Sequence, residues 1–375
     1  MAAKLFYREF RYQEADIARF LADSHGFDTL YRTEGNPQVK RSKWFFVKQI
    51  LLDMLFLVSR RREIRTYSHI VALWHSSLAF IILKRLGLID YERLLWFGFS
   101  VRSPFWAKIY RQVAKLDLEH IWFVVFTEKE VDDYSQRLGI DPQHLLFIAH
   151  GDWPQPIDLP ELFTRDPDLD LTTPYYFTGG FTNRDYRPVI EAFRGLDQRL
   201  IIVCSRSNDD VVEDELPPNV QVYRDITFPE FELLLSGAKA VIIPLRQDSG
   251  AAGHSVLVRS MRNGKIVIAN AFRIMDNYVD NGIDGVLLKD MAAELKPTLL
   301  AIEADPERFL PIQKAALERF ERDYSQEALE RRMSHLIQDR WIEAPATAAR
   351  DASFDEGATT NATRWKRYGE QSGRG

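Results

Sequence analysis

Short apolar runs recur along this chain, separated by longer stretches in which apolar positions fall three and four residues apart. Runs of the first kind suit strands buried on both faces of a parallel sheet, and stretches of the second kind suit the helices that cover it. In the first half the pattern predicts strands over Lys4–Phe10, His69–Leu73, Arg93–Phe97, Ile121–Phe126 and Leu145–Ala149. Helices are predicted over Gln13–Ser24, Ser42–Val58, Pro104–Lys115, and from Trp74-His75-Ser76-Ser77 to Leu86, with a polar loop over Thr33–Gln38. Thr127, with Glu130 three residues on, opens a further helix as a capping box. The second half repeats the alternation, with strands at Tyr175–Thr178, Leu200–Cys204, Val220–Tyr223, Ala240–Pro244, Lys265–Ala269 and Gly285–Leu288. Its helices are Arg187–Phe193, Phe228–Ser236 and residues 306–341, where Ser325 and Glu327 open the last amphipathic stretch. Alternation at this spacing predicts two doubly wound α/β domains.

Residues 153–174 hold five prolines with Asp166, Asp168 and Asp170 and read as a linker. The expected organisation is a first domain over 1–160, a linker over 161–174 and a second domain over 175–305. Closing helices follow over 306–342, then a disordered tail over 343–375, rich in Ala, Thr, Gly and Arg. A chain of 375 residues with 46% hydrophobic content is long enough for two cores and excludes a disordered or fibrous protein. A lone cysteine, Cys204, rules out an internal disulfide framework. No signal-peptide core or transmembrane run is visible, so a cytoplasmic protein is expected. Charge is uneven. The first 150 residues carry 22 basic and 17 acidic side chains (+5), and the remainder 27 and 37 (−10). A basic front half suggests an anionic partner.

The stretch Asp248–Ala269 is the most informative for chemistry. Ser249-Gly-Ala-Ala-Gly253 is a small-residue loop; a short helix, a turn at Gly264 and an apolar strand follow. Gly250, Ala251, Ala252 and Gly253 let a ligand come close to the main chain. The N–H groups and positive dipole end of the next helix favour an anion, typically a phosphate. An ordinary tight loop-to-helix turn has the same composition, so the loop alone leaves both readings open.

Its company carries a resemblance. Tyr-Phe-Thr-Gly179-Gly180-Phe-Thr-Asn-Arg184, followed by Val189-Ile-Glu-Ala-Phe193, is similar to the first strand, glycine loop and helix in the second domain of family-4-like GT-B glycosyltransferases. Ile243-Pro244, the small-residue loop, Gly264-Lys265, Asp276-Asn-Tyr278 and Asn281-Gly-x-x-Gly285 resemble the donor half of the same families. His150-Gly-Asp152 stands where many relatives carry Gly-Val-Asp, and residues 325–341 resemble the segment that crosses back to the first domain. The likeness covers roughly residues 65–340 and is stronger in the second half. It implies a GT-B fold, with two Rossmann-like doubly wound domains facing a cleft. A nucleotide-sugar would sit on the second domain and an acceptor on the first, with neither metal nor cofactor. There is one departure. Many members carry two Glu across this loop and helix, the second holding the donor ribose. Ala251 and Arg259 stand there instead, and neither accepts hydrogen bonds from a ribose diol. A subgroup of polysaccharide glycosyltransferases, with Ser-Gly before the helix, also lacks the pair.

Glycosyl transfer needs positive groups for the leaving diphosphate, a grip on the nucleotide and an oriented acceptor hydroxyl. The resemblance puts Arg184 where relatives have a phosphate-reaching Lys, so it is the first candidate for leaving-group stabilisation; the alternative is a solvated loop arginine. The implied donor set is Gly179, Gly180, Arg184, Arg206, Ser249, Gly250, Ala251, Ala252, Gly253, His254 and Ser255. Arg206 enters because it follows a strand, and ligands bind at strand C-termini in open α/β sheets. His254 either touches the donor or caps its helix. His75 is set to face the cleft from the first domain. Asp152, with His150 beside it, is the option for the base an inverting enzyme requires. Asp168-Leu-Asp170 imitates a metal-binding DxD but lies in the linker and is read as no site.

Between residues 40 and 65, eight basic side chains (Lys40, Arg41, Lys43, Lys48, Arg60, Arg61, Arg62, Arg65) face two acids. That balance of +6 exceeds the whole of the first 150 residues. Lys48, Gln49 and Asp53 interrupt one side of the apolar run, which makes the helix amphipathic and too short to cross a bilayer. Two compatible readings follow. One is a core helix with snorkelling ends. The other is a patch of Lys40, Arg41, Lys43, Trp44, Arg60, Arg61 and Arg62 on anionic lipid, worth about 1 kcal/mol per nearby basic residue. No nucleic-acid module is visible. The expected protein is a glycosyltransferase on the inner face of the cell membrane, passing sugar from a nucleotide-sugar to a lipid-linked saccharide or polysaccharide precursor. The alternatives are a non-catalytic GT-B-like binding or scaffold subunit and a polyol-phosphate transferase on the same fold.

Overall fold

A computed structural model of the chain describes residues 3–11, 17–34, 43–101, 104–114, 119–152, 163, 166, 168–206, 208–211 and 215–342. The expected tail, part of the linker (161, 162, 164, 165 and 167), and Lys40 and Arg41 of the basic segment lie outside the described residues.

Strands β1 (Lys4–Arg11), β2 (Phe27–Glu34), β3 (His69–Leu73), β4 (Arg93–Phe97), β5 (Ile121–Val125) and β6 (Leu145–Phe147) form one parallel sheet in the order β2-β1-β3-β4-β5-β6. The connecting helices are α1 (Ile17–His25), α2 (Lys43–Ser59), the short α3 (Arg61–Ile64), α4 (Ser76–Arg85), α5 (Pro104–Ala114) and α6 (Glu128–Leu138). Strand side chains alternate between two apolar layers. Leu5, Tyr7, Ile70 and Ala72 join Leu57, Phe80 and Trp106 on one face, and Phe6, Val71 and Leu73 join Phe20 and Leu21 on the other. Strand β2 has no counterpart in the sequence reading, which has only a polar loop from Thr33. It is an edge strand in which Phe27 and Leu30 are the buried positions, and its pairing with β1 supplies what its own pattern lacks.

The second sheet contains β7 (Tyr175–Gly179), β8 (Arg199–Cys204), β9 (Val220–Arg224), β10 (Ala240–Ile243), β11 (Ile266–Asn270) and β12 (Val286–Leu288). All are parallel, in the order β12-β11-β10-β7-β8-β9. Around it lie α7 (Arg187–Phe193), α8 (Phe228–Gly237), α9 (His254–Arg262), α10 (Met291–Ala304) and α11 (Leu310–Arg319). Helix α10 is absent from the sequence reading because Pro297 sits inside it, where proline ordinarily breaks a helix. Asp290 caps it by accepting from the Ala292 and Ala293 N–H groups, and Leu295, Leu299 and Ile302 bury its inner face.

The chain then returns to the first domain. A π-helical turn, Phe320–Tyr324, leads into α12 (Gln326–His335) and a second π-helical stretch, Leu336–Ile342. Leu329, Met333, Leu336, Ile337 and Trp341 complete the apolar layer of Phe6, Val71, Leu95, Trp122 and Val124. Trp341 stacks on Phe27, and Ser334 Oγ lies 3.0 Å from His25 Nε2. The crossing segment expected from the resemblance is therefore part of the first domain's core.

Helix α2 corrects the sequence reading of its faces. Gln49 and Asp53, expected on a polar outer side, are buried, while Trp44, Leu51 and Leu55 are 70%, 55% and 70% exposed. The reason is a polar cluster. Asp53 Oδ1 accepts from the Tyr7 hydroxyl (2.7 Å) and Arg32 Nε (2.6 Å), and Oδ2 accepts from Ser76 Oγ (2.9 Å). Arg32 also donates to Gln49. One carboxylate thus ties α2 to β1, β2 and α4. Among the described residues no helix is long and apolar enough to cross a membrane.

Trp341→Ala should empty a fully buried ring site and lower the urea midpoint of unfolding, by the equivalent of about 3–5 kcal/mol. A midpoint unchanged from wild type would contradict the crossing helix as core.

Candidate functional site

In an open α/β sheet, ligands bind outside the carboxyl ends of the strands, at the point where strand order reverses. In the second sheet this crevice lies between β7 and β10. The loops leaving those two strands are stitched together there. Asp185 N–H donates to the Pro244 carbonyl (3.0 Å), Arg246 N–H to the Asn183 carbonyl (3.1 Å), and Asn183 Nδ2 to the Gln247 carbonyl (2.7 Å). Arg184 lies beneath them at 3% exposure. Its Nε donates to the Gly179 carbonyl (3.2 Å) and Nη1 to the Thr182 carbonyl (2.8 Å). Gly180 has φ +122°, and a Cβ there would come within 2.7 Å of the guanidinium, so glycine is what lets the cation lie against the main chain. Among the described residues no carboxylate forms an ion pair with Arg184, and burial lowers its pKa from the usual arginine value. The solvated-arginine alternative is thereby set aside.

From β10 the chain runs through Ser249–Ala252 to Gly253, at φ +90°, and into α9. A Cβ on Gly253 would meet Ile243 at 2.9 Å. The first-turn N–H groups of α9 have no partner within the helix, which makes this end an anion-seeking terminus. His254, the first residue of α9, is buried. Its Nε2 lies 2.8 Å from the Ile274 carbonyl and its ring 4.2 Å from that of Tyr278. Burial pushes its pKa down to about 4, so it is neutral at pH 7 and serves α9 as a packed, hydrogen-bonded anchor. Among the described residues its Nδ1 has no hydrogen-bond partner, so the ring makes no capping bond.

The first sheet reverses between β1 and β3. Trp74 leaves β3 at φ +46°, a strained conformation for a non-glycine residue, and His75 follows. The His75 ring is packed 4.5 Å from both Phe46 and Trp106, with Nδ1 2.8 Å from the Tyr110 hydroxyl.

No family model matches the sequence, and no curated protein does. Solved structures match in shape. HepE of Anabaena, solved with UDP and glucose, superposes with a TM-score of 0.63 at 14% identity, over 90% of this chain and 99% of its own. Sucrose-phosphate synthase from Thermosynechococcus elongatus gives 0.63 at 18% identity, over 89% and 88%. WaaG, a glycosyltransferase involved in lipopolysaccharide biosynthesis, gives 0.59 at 13% identity, over 90% and 100%. The chain has the GT-B fold.

In that fold the two domains are joined by direct contacts. Tyr278 uses its hydroxyl twice, donating to the Phe126 carbonyl and accepting from His150 N–H, at 2.7 Å each. Asn277 Oδ1 accepts from Glu128 N–H (3.0 Å), and Ser255 Oγ lies 3.2 Å from His150 Nε2. Asp152, the expected base, is buried and committed elsewhere: Arg262 donates to its Oδ2, and Arg259 Nε stands 3.6 Å from Oδ1. Both arginines also reach Glu232 on α8, and Arg259 packs over Phe228 at 4.5 Å. Asp152 is therefore a strut between domains, and Arg259 a partner of acids where relatives carry one. Arg206 is not gathered into the β7–β10 crevice; its side chain is 87% exposed and pairs with Asp225 at 3.3 Å. Asp170 caps a turn by accepting from Thr172 and Thr173, which hold its carboxyl below the usual range. Glu130, Asn277 and Glu232 escaped the sequence reading as site residues. Glu130 had a signal in its capping-box spacing and Asn277 in the Asp276-Asn-Tyr278 motif; Glu232 had none.

His254 carries a pH signature. Its folded pKa of about 4 lies below the unfolded value of 6.5, so the unfolded chain binds the extra proton between these pH values. Stability tied to His254 is present above pH 6.5 and lost as pH falls toward 4, on the order of 3 kcal/mol in all. His254→Asn should flatten urea-unfolding stability over that window; a slope equal to wild type would contradict the assignment.

Proposed function

We propose that this chain is a glycosyltransferase. It takes its sugar from a nucleotide donor held at the β7–β10 crevice and passes it, without a metal, to a lipid-linked saccharide or polysaccharide precursor held by the first domain. The observation that carries the reading is Arg184, a buried cation with no carboxylate partner among the described residues, whose charge is felt at His254, the first residue of α9. Burying an uncompensated charge is costly, and an arriving anion relieves that cost. When the acceptor oxygen bonds to the sugar carbon, the bond from that carbon to the diphosphate breaks and negative charge develops on the leaving group. Arg184 and the first-turn amides of α9 stabilise that charge, and most where water is excluded. HepE was solved with UDP and glucose and also with UDP-glucose, which supports a nucleotide-sugar donor on this fold. His75, at the first-domain crevice, is an imidazole on the acceptor side.

The outer face of α2 supports a peripheral membrane position. Trp44, Leu51 and Leu55 project outward with Lys48 among them, and Arg60, Arg61 and Arg62 are exposed just past its end. An apolar strip with a basic rim is what an anionic headgroup layer binds. That is also where a lipid-linked acceptor is met.

Calorimetry with UDP-, GDP-, CMP- and CDP-linked sugars tests the donor; binding to none of them by folded protein sinks the proposal. Arg184→Ala should weaken nucleotide diphosphates by about tenfold or more and leave nucleosides unchanged. Equal weakening of both would remove the phosphate contact. Binding without transfer or hydrolysis points instead to a non-catalytic subunit, and use of CDP-linked polyols to polyol-phosphate transfer. Wild type should float with phosphatidylglycerol vesicles and a variant with alanines at 60–62 should not. Equal flotation of the two would overturn the role of these arginines.

A further inference from the structure

The first domain sends a carboxylate into the anion loop. Ala251 N–H donates to Glu130 Oε1 across the cleft at 3.2 Å, and Glu130, in the first turn of α6, is 1% exposed. It is fixed from behind. Oε2 accepts from Phe126 N–H (3.1 Å), Oε1 accepts from the Tyr134 hydroxyl (2.9 Å), and Glu130's own N–H donates to Thr127 Oγ1 (3.1 Å). The carboxylate is thus a built part of the first domain. The same edge is fastened to the second domain through Glu128 with Asn277, Asp132 with Arg273 (2.8 Å), and the doubly used Tyr278 hydroxyl.

We propose that Glu130 is an internal anion, which fills one amide of the diphosphate loop while no donor is bound and holds the cleft shut. The proposal rests on the donor reading above and adds a regulation of that site. A phosphate oxygen accepting the Ala251 N–H would lie within a few ångströms of the carboxylate, and two anions that close repel strongly where water is excluded. One must leave. Because Phe126, Thr127 and Tyr134 hold Glu130 in place, it leaves with its domain, so donor entry and cleft opening are a single event. Donor affinity is then lowered by the fraction of molecules that are closed.

The test is calorimetric titration of inorganic pyrophosphate into wild type and Glu130→Gln. The glutamine has a single oxygen; turned to the Phe126 N–H it keeps the bond made there by Oε2, so the helix start persists while the charge and the acceptor facing Ala251 are lost. Binding should tighten by about tenfold, the ratio that removal of one charge-assisted contact gives. Equal or weaker binding in the variant overturns the proposal. A residue that merely caps α6 would not move this affinity. In ligand-free protein, the Ala251 amide should exchange slowly in wild type and fast in Glu130→Ala; fast exchange in wild type also overturns it. Failure of the donor reading looks different, since neither protein then binds pyrophosphate or any sugar nucleotide.

Discussion

The outer face of the first sheet, formed by Phe6, Val71, Leu95, Trp122 and Val124, is one that α1 covers only in part. The rest of the cover comes from the far end of the chain, through Leu329, Met333, Ile337 and Trp341. Apolar area of this extent has to leave water for the domain to be stable, so the first domain is complete only when the crossing segment docks. Docking fixes more than a core. The turn into that segment is anchored on the loop Asp276–Gly285, where Arg319 bridges Asp280 and Asp284 and the Tyr324 hydroxyl donates to the Asn277 and Tyr278 carbonyls. Asn277 and Tyr278 are among the residues that touch the first domain across the cleft. A hydrophobic demand at one edge of the molecule therefore also anchors a loop through which the two domains touch.

Within that frame the charges divide by task. Asp53, Asp152, Glu232 and Asp284 are buried acids whose guanidinium partners are close, and each ties separate elements together. Arg184 is a buried cation that this scheme leaves without an acid among the described residues, and it lies at the switch point of the second sheet. Uncompensated charge of one sign at a strand-end crevice is a binding feature more than a stabilising one, because it weakens the empty fold and strengthens the occupied one.

Much of the fold was legible along the chain. The buried parallel strands β3, β5, β8 and β10 show as apolar runs because both of their faces are covered. Edge strand β2 did not show, since half its positions meet solvent, and α10 did not because Pro297 reads as a break. Without β2 the reversal of the first sheet between β1 and β3 is invisible, and with it the reason His75 sits at a crevice.

Local spacing determined where glycines bend the main chain and where α9 starts, because these depend on neighbours in sequence. Resemblance along the second half added the GT-B expectation and singled out Arg184. Tertiary structure alone decided which charges are spent. It turned Asp152 and Arg259 into partners, sent Arg206 to the surface and turned Asp53 inward, leaving Trp44, Leu51 and Leu55 of α2 exposed. It also brought Glu130 to Ala251 across 121 positions of sequence. A side chain's charge is written in the sequence, but its availability depends on which oppositely charged group the fold brings within hydrogen-bond reach.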